Sequence, residues 1–310
     1  MHTYKIVRDV FSGLRPVHSV AGSHGFSRAV LVDGDDGSTH VELAVCQLEP
    51  GGWVGGHLHP FEESFFILEG SAEIGIDGSG YRLVPGDFGF APVATPHAWS
   101  NPSDAPVRWY SIRSPQPRQI GRSYGTFPVA RYRIPDLIRE VREEDPTVRF
   151  VGHFDDRDLG APGSLSMPGY HGHQVRDIAV RMMVDDVLGA VHHTNFMIQF
   201  QPRRDEGLSG SSHFHDFEEA YLLVAGTGEV TLEGETHHVQ AGDLVWQSSS
   251  TMHGWVNRGT VPLRFIELQA PRPPSSNAVV FESSWNEIAE ATLPPEVRPA
   301  DADGVPASHG

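Results

Sequence analysis

Histidine and glutamate recur in this chain at a spacing that suits a metal ion. His57 and His59 are followed by Glu63, and His213 and His215 by Glu219. A glycine opens each set (Gly51, Gly207) and another closes it (Gly70, Gly226). Further along come His97 and His253, and then Asn101 and Asn257. Each of these pairs is separated by the same 156 residues. A shared offset at so many ligand-type positions points to a duplicated unit in which both copies keep their ligands.

Alternate residues of a strand face one side, so His57 and His59 project together, as do His213 and His215. Glu63 and Glu219 keep that parity, after an expected bend at Pro60 or Asp216. His97 and His253 would arrive from another strand. Imidazoles with a carboxylate suit divalent transition metals, two ions per chain, with Fe(II) the first choice and Mn(II), Ni(II) or Zn(II) next. Four protein ligands on a six-coordinate ion leave two positions for water, dioxygen or substrate. A closed structural zinc site would more often use cysteine, and Cys46 is the only cysteine, read as a buried small apolar residue. The adjacent Glu62 and Glu218 must point the other way. Glu63 and Glu219 are therefore the candidate ligands and the candidate catalytic acid–base groups.

Such ligands need short, tightly turned elements around them. The chain has 33 Gly and 24 Pro, and the segments between turn signals are of strand length. The runs 63–69 and 219–225 are apolar and end at a glycine, while 71–77 and 229–234 alternate with a period of two. This reads as an all-β protein of barrels or sandwiches. Two helices are expected, one at 135–144, opened by Pro135, and one at 284–289, opened by a capping box from Ser284 to Glu287. The expected organisation is a first barrel at 1–134, a linker with a short helix at 135–172, a second barrel at 173–290 and a disordered tail at 291–310. The segment Pro202–Gly207 carries about four more residues than its counterpart before Gly51, so the two sites are expected to differ in access.

Lys and Arg number 23 against 40 Asp and Glu, a net charge of −17. That disfavours a nucleic-acid backbone and an anionic membrane surface. No apolar run approaches the roughly 18 residues needed to span a bilayer, and the first residues show no signal-type segment. A cytoplasmic homo-oligomer, a dimer, acting on a small molecule is the expectation.

The repeated pattern resembles the cupin superfamily, and two copies resemble a bicupin. Both halves match the family's first motif, Gly-x5-His-x-His-x3-Glu-x6-Gly, at every fixed position. The second motif, Gly-x5-Pro-x-Gly-x2-His-x3-Asn, is met by Gly86, Pro92, His97 and Asn101, with Ala94 at the inner glycine. In the second half Gly242, His253 and Asn257 match, with Ser248 and Ser250 at the proline and glycine positions. The likeness runs from about Val41 to Pro115 and from Phe196 to Pro271. It implies two tandem jelly-roll barrels with a few short peripheral helices, and metal bound by His57, His59, Glu63 and His97 and by His213, His215, Glu219 and His253.

Phe65, Trp99, Tyr221 and Trp255 fall near these ligands and are read either as core or as part of a substrate pocket. Arg108 and Arg264 align by the same offset, as carboxylate clamps or as surface residues. His171 and His173 repeat the His-x-His spacing without the glutamate and are read as a loop. His192–His193 and His237–His238 are read as supporting or surface residues. The resemblance implies an oxygenase or dioxygenase acting on a phenolic, enolic or carboxylate substrate. It also allows a non-redox decarboxylase, hydrolase, lyase or isomerase, or a binding or storage protein. Oxalate decarboxylases share intact ligands in both halves, but Val54 and Gly210 stand here where they carry an arginine.

Overall fold

The structure is a computed structural model that describes residues 3–17, 22–118, 125–141, 149–163, 177–203, 212–273 and 279–281. Strand dominates, and the one helical turn among the described residues is the 3-10 segment Asp156–Asp158. The sheets are those of two tandem barrels. No helix among the described residues is long and apolar enough to cross a membrane.

Local chemistry explains the strand ends. Ala72–Ile76 returns as Ser79–Leu83 through Asp77 and Gly78, at φ 48° and 79°. Thr227–Leu232 returns as Glu235–Gln240 through Glu233 and Gly234, at φ 49° and 83°. Two successive positive φ values fit the two-residue turn whose twist matches that of the strands. The long strand Glu42–Leu58 carries the first His-x-His and shifts register between Val54 and His57. Gly56 stands at that shift because a Cβ there would lie 2.7 Å from both the Cβ and the carbonyl oxygen of Tyr132. Past the shift, His57 pairs directly with His97 of the strand His97–Ser100. In the second half His213 pairs with His253 of His253–Val256. Pairing thus brings a distant histidine beside each His-x-His.

The halves pack through the outer faces of their sheets. On Val107–Ser114, Tyr110 and Ile112 face the second half, while Trp109 packs in the first barrel's interior. One core joins Leu43, Phe66 and Phe90 to Leu222, Trp246 and Ile266. Burying each large apolar side chain of such a core contributes about 1.5–3 kcal/mol. Two glutamates clasp this contact reciprocally. Glu62 accepts hydrogen bonds from the amides of Val191 (2.7 Å) and His192 (3.0 Å) and from Nδ1 of His193 (3.1 Å). Glu218 accepts from Thr39 N (2.7 Å), His40 N (3.1 Å), Ser38 Oγ (2.7 Å) and Trp246 Nε1 (3.1 Å). Although burial opposes it, His193 and the two amides hold the Glu62 carboxyl below its ordinary range.

Strands cross the expected boundaries. Tyr4–Val7 pairs with Leu244–Gln247 and so adds to the second half's sheet. Ile138–Glu140 runs parallel to Ser79–Leu83, and Val151–His153 pairs with Asp87–Ala91, so both belong to the first half's sheet. The helix expected at 135–144 is therefore corrected, since its central residues form a strand. Ile138 fits against Gly80, where a Cβ would lie 2.8 Å from its Cδ1, and sheet pairing overrides the local pattern. The helix expected at 284–289 and the tail at 291–310 lie outside the described residues.

Candidate metal centres

In the first barrel the ligand atoms of His57, His59, Glu63 and His97 all lie within 4.8 Å of one another. Backbone carbonyls orient the rings. Nδ1 of His57 lies 2.8 Å from Gly55 O, that of His59 3.1 Å from Gly125 O, and that of His97 3.0 Å from Thr95 O. Each Nδ1–H donates to its carbonyl, which leaves Nε2 as a lone pair facing inward. Nε2 of His59 and of His97 is buried with no hydrogen-bond partner. Burial, with the neighbouring imidazoles, holds His57 well below its ordinary pKa, and burial brings His59 down to about 4. The His57 and His59 rings are therefore neutral near pH 7, as donors to a metal must be. Glu63 reaches toward the same point, with Oε2 2.9 Å from His59 Nε2 and 3.7 Å from His97 Nε2. Burial alone would raise its pKa. The Arg113 guanidinium overcomes this and holds it well below the usual range.

The second barrel repeats the imidazoles but not the carboxylate's setting. His213, His215 and His253 form a three-histidine group within the same 4.8 Å, and Glu219 falls outside it. Nδ1 of His215 and of His253 are held by the carbonyls of Phe217 and Thr251, both at 2.9 Å. Their Nε2 atoms are again buried and unpartnered. Glu219 Oε2 lies 2.9 Å from His215 Nε2 and 3.2 Å from His253 Nε2. The same oxygen also accepts from Gln247 Nε2 at 3.0 Å and makes a very short bond to the Tyr221 hydroxyl, while Oε1 accepts from Gln269 Nε2 at 3.0 Å. Burial and Glu219 together push the nearby Glu267 well above the ordinary range. In both barrels, buried imidazole lone pairs without donors, converging beside a carboxylate, fit a divalent ion.

Around each cluster the aromatic residues pack tightly. His59 stacks on Phe61 (centroids 4.4 Å) and His215 on Phe217 (3.7 Å). Trp99 stacks on Trp109 at 4.6 Å and meets Phe65 edge-on at 4.8 Å, within the first interior core. Tyr221 and Trp255 meet at 4.8 Å within the second. Ala94 and Ser250, at the family's glycine positions, adopt φ of 60° and 65°. Their amides donate to His59 O and His215 O, both at 2.7 Å.

Arg108 and Arg264 do not reach either cluster, which corrects their placement in a substrate pocket. Arg108 bonds Gln47 and Glu69 and lies over Phe11; Arg264 bonds Gln199 and Asp156 and lies over Phe154. They sit on the outer faces of their strands. The arginine at the metal cluster is Arg113, five residues on and hence on the opposite face. Its Nε lies 3.3 Å from Glu63 Oε1, which also accepts from Ser111 Oγ at 2.7 Å. Ser111 and Arg113 correspond to Glu267 and Gln269 at the familiar offset of 156. That parity and offset were the signal available for them. His171 and His173, with residues 204–207 of the longer loop, lie outside the described residues.

The cupin domain model matches residues 44–113 and 198–268. A 5-nitrosalicylic acid 1,2-dioxygenase from Bradyrhizobium is 31% identical over 114 residues, which is 34% of this chain and 55% of that protein. The tetracenomycin polyketide synthase protein TcmJ of Streptomyces glaucescens is 33% identical over 94 residues, 29% of this chain and 63% of that one. The match thus spans less than two thirds of either relative. Among solved structures, the Lactobacillus farciminis oxalate decarboxylase formate complex superposes with a TM-score of 0.59 at 16% identity, covering 93% of each chain. A variant of the Bacillus subtilis oxalate decarboxylase gives 0.58 at 15%, covering 98% of this chain and 87% of that one. At these identities the likeness is one of fold. The cupin domain is thus matched twice, once in each barrel, and the two-barrel architecture is shared over nearly the whole length of this chain.

Proposed function

We propose that the chain is a metal-dependent oxygenase that acts on a small phenolic, enolic or carboxylate substrate. The carrying observation is the first cluster, where three imidazoles and a glutamate converge and Nε2 of His59 and of His97 is buried without a hydrogen-bond partner. The partial similarity to a nitrosalicylate dioxygenase supports dioxygen as co-substrate. His57, His59, Glu63 and His97 would hold the ion in the first barrel, and His213, His215, Glu219 and His253 in the second, with Fe(II) the first choice. A bound divalent ion supplies a Lewis acid that lowers the pKa of a substrate hydroxyl. Glu63, held ionised by Arg113, would take that proton by swinging off the ion and later return it. Phe61, stacked on His59, would help keep water from the reacting group.

The non-redox reading draws on the shared architecture with oxalate decarboxylases. One experiment separates the two. Protein reconstituted with Fe(II), Mn(II), Ni(II) or Zn(II) is assayed against phenols, flavonols and small organic acids, with and without dioxygen. Oxygenase chemistry requires turnover to stop under anaerobic conditions and labelled oxygen to enter the product. Unchanged anaerobic turnover hands the site to a decarboxylase, hydrolase, lyase or isomerase.

A further inference from the structure

We propose that Arg113 makes the first centre a receptor for substrates bearing a carboxylate, whereas the second centre takes an uncharged substrate. This rests on the first cluster being a substrate-binding metal centre, but its test needs no turnover.

The first barrel holds a buried row of alternating charges. Arg28 Nη2 donates to Glu42 Oε1 at 2.6 Å, Arg113 Nη1 donates to the same oxygen at 3.3 Å, and Arg113 Nε faces Glu63 Oε1 at 3.3 Å. Arg28 Nε is buried with no hydrogen-bond partner. Nη2 of Arg113 makes no hydrogen bond among the described residues. The guanidinium lies 5.5 Å over the Phe61 ring, which stacks on His59. It therefore touches the ligand carboxylate and the Phe61 ring that stacks on His59. Two arginines balance two glutamates, so the full charge of a bound divalent ion stays uncompensated. An anionic ligand group is the natural counterpart.

Position for position, the second barrel removes these features. Gln269 replaces Arg113, and both pair with the ligand glutamate of their barrel. Val180 replaces Arg28, pairing with Ile198 as Arg28 pairs with Cys46. The small facing pair Ser111 and Ala44 becomes Glu267 and Phe196. Among the described residues no guanidinium touches Glu219, which accepts from the amides of Gln247 and Gln269 and from the Tyr221 phenol. A second acid, Glu267, stands beside it, donated to by Gln269 at 3.0 Å. An incoming carboxylate would meet the Glu219 carboxylate with no guanidinium beside it among the described residues, and large side chains where the first barrel has small ones. A ligand with a hydroxyl for the ion and a carboxylate for Arg113 fits the first centre alone.

Salicylate and its uncharged amide, salicylamide, differ only in that carboxylate. Binding of each to metal-loaded full-length chain is followed by calorimetry and by quenching of tryptophan fluorescence. The His213→Ala/His215→Ala variant isolates the first centre, and metal content is measured in every sample. The first centre should prefer salicylate about tenfold or more, as expected for a charge-assisted bidentate contact. Arg113→Gln, which copies the second centre, should erase that preference while salicylamide binding holds. Loss of both ligands in equal proportion with metal retained would mean that Arg113 only positions Glu63, and would overturn the proposal. If Arg113→Gln loses its metal, the converse variant Glu267→Ser/Gln269→Arg decides. A new salicylate preference at the second centre supports the proposal, and its absence overturns it. Failure of the wild-type chain to take up metal would overturn the metal-centre reading as well.

Discussion

The two centres share their imidazoles and differ in what surrounds the carboxylate. Glu63 sits between Ser111 and Arg113 and faces Ala91 across the strand pair; Glu219 sits among Tyr221, Gln247 and Gln269. In the first case a cation keeps the carboxylate ionised and draws Oε1 aside, leaving Oε2 for the ion. In the second, neutral donors occupy both oxygens. Duplication kept the donors and varied the hydrogen bonds that orient them. Such outer partners commonly alter metal affinity by 10–100-fold, so equal ligand sets need not make equal sites.

The largest expected effect tests whether the centres are separate. Metal-saturated chain should carry two ions, and His57→Ala/His59→Ala should lower this to one, as should His213→Ala/His215→Ala. Metal quantification after dialysis checks it. Loss of both ions from either double variant would show that the barrels do not load independently.

A second contrast lies within one dipeptide. Glu63→Gln should empty the first centre. Glu62→Gln should keep its metal but weaken the clasp on Val191, His192 and His193, costing about 2–5 kcal/mol of stability because a buried, multiply bonded charge is lost. Denaturant unfolding beside metal analysis reads both effects. Equal metal loss from the two variants would defeat the opposed facing of the pair. Glu218→Gln should behave like Glu62→Gln, since it binds the turn at Ser38, Thr39 and His40 in the same reciprocal way.

The ligands were legible because their chemistry repeats, and strand parity separated Glu63 from Glu62 without coordinates. Arg113 was not, because repetition draws attention to what is conserved between copies. Arg108 and Arg264 match and so attracted notice, yet both face outward. Arg113 matches a glutamine, and its significance lies in that mismatch. The apparent helix at 135–144 failed for another reason. Leu137, Ile138 and Val141 have helical spacing, but the open edge at Ser79–Leu83 offers backbone partners that an isolated short helix cannot match. Likewise, nothing local to Tyr4–Val7 tells that it pairs with a strand more than 230 residues away. Pairing between distant segments is a property of the assembled sheet.

A smaller effect concerns the carboxylate's freedom. Tyr221 donates to Glu219 Oε2, the oxygen nearest His215 and His253. Phe65 occupies the corresponding place in the first barrel and makes no such bond. Tyr221→Phe should release that oxygen and raise metal affinity at the second centre about tenfold, the equivalent of one charge-assisted hydrogen bond. Competition with a chelator measures it. Phe65→Tyr should lower affinity at the first centre. If neither exchange moves its centre, the hydroxyl does not restrain Glu219, and the difference between the centres must come from Arg113 and Gln269 instead.

The smallest expected effect asks whether the loops before the last ligand are equivalent. Ala94 and Ser250 both hold left-handed backbone and both tie their loop to the His-x-His strand through an amide donated at 2.7 Å. A side chain in that conformation costs about 1–2 kcal/mol, which glycine would relieve. Glycine also gives the unfolded chain more freedom, which takes back about 0.4–1 kcal/mol. Ala94→Gly and Ser250→Gly should therefore each be neutral or stabilise by about 1 kcal/mol or less, with both ions retained, as read by thermal unfolding and metal content. Matching results would place the difference between the centres in the residues around the carboxylate. A clear loss of stability in Ser250→Gly alone would show that its hydroxyl contributes to that loop, and would make the approach to His253 a second point at which the two barrels have diverged.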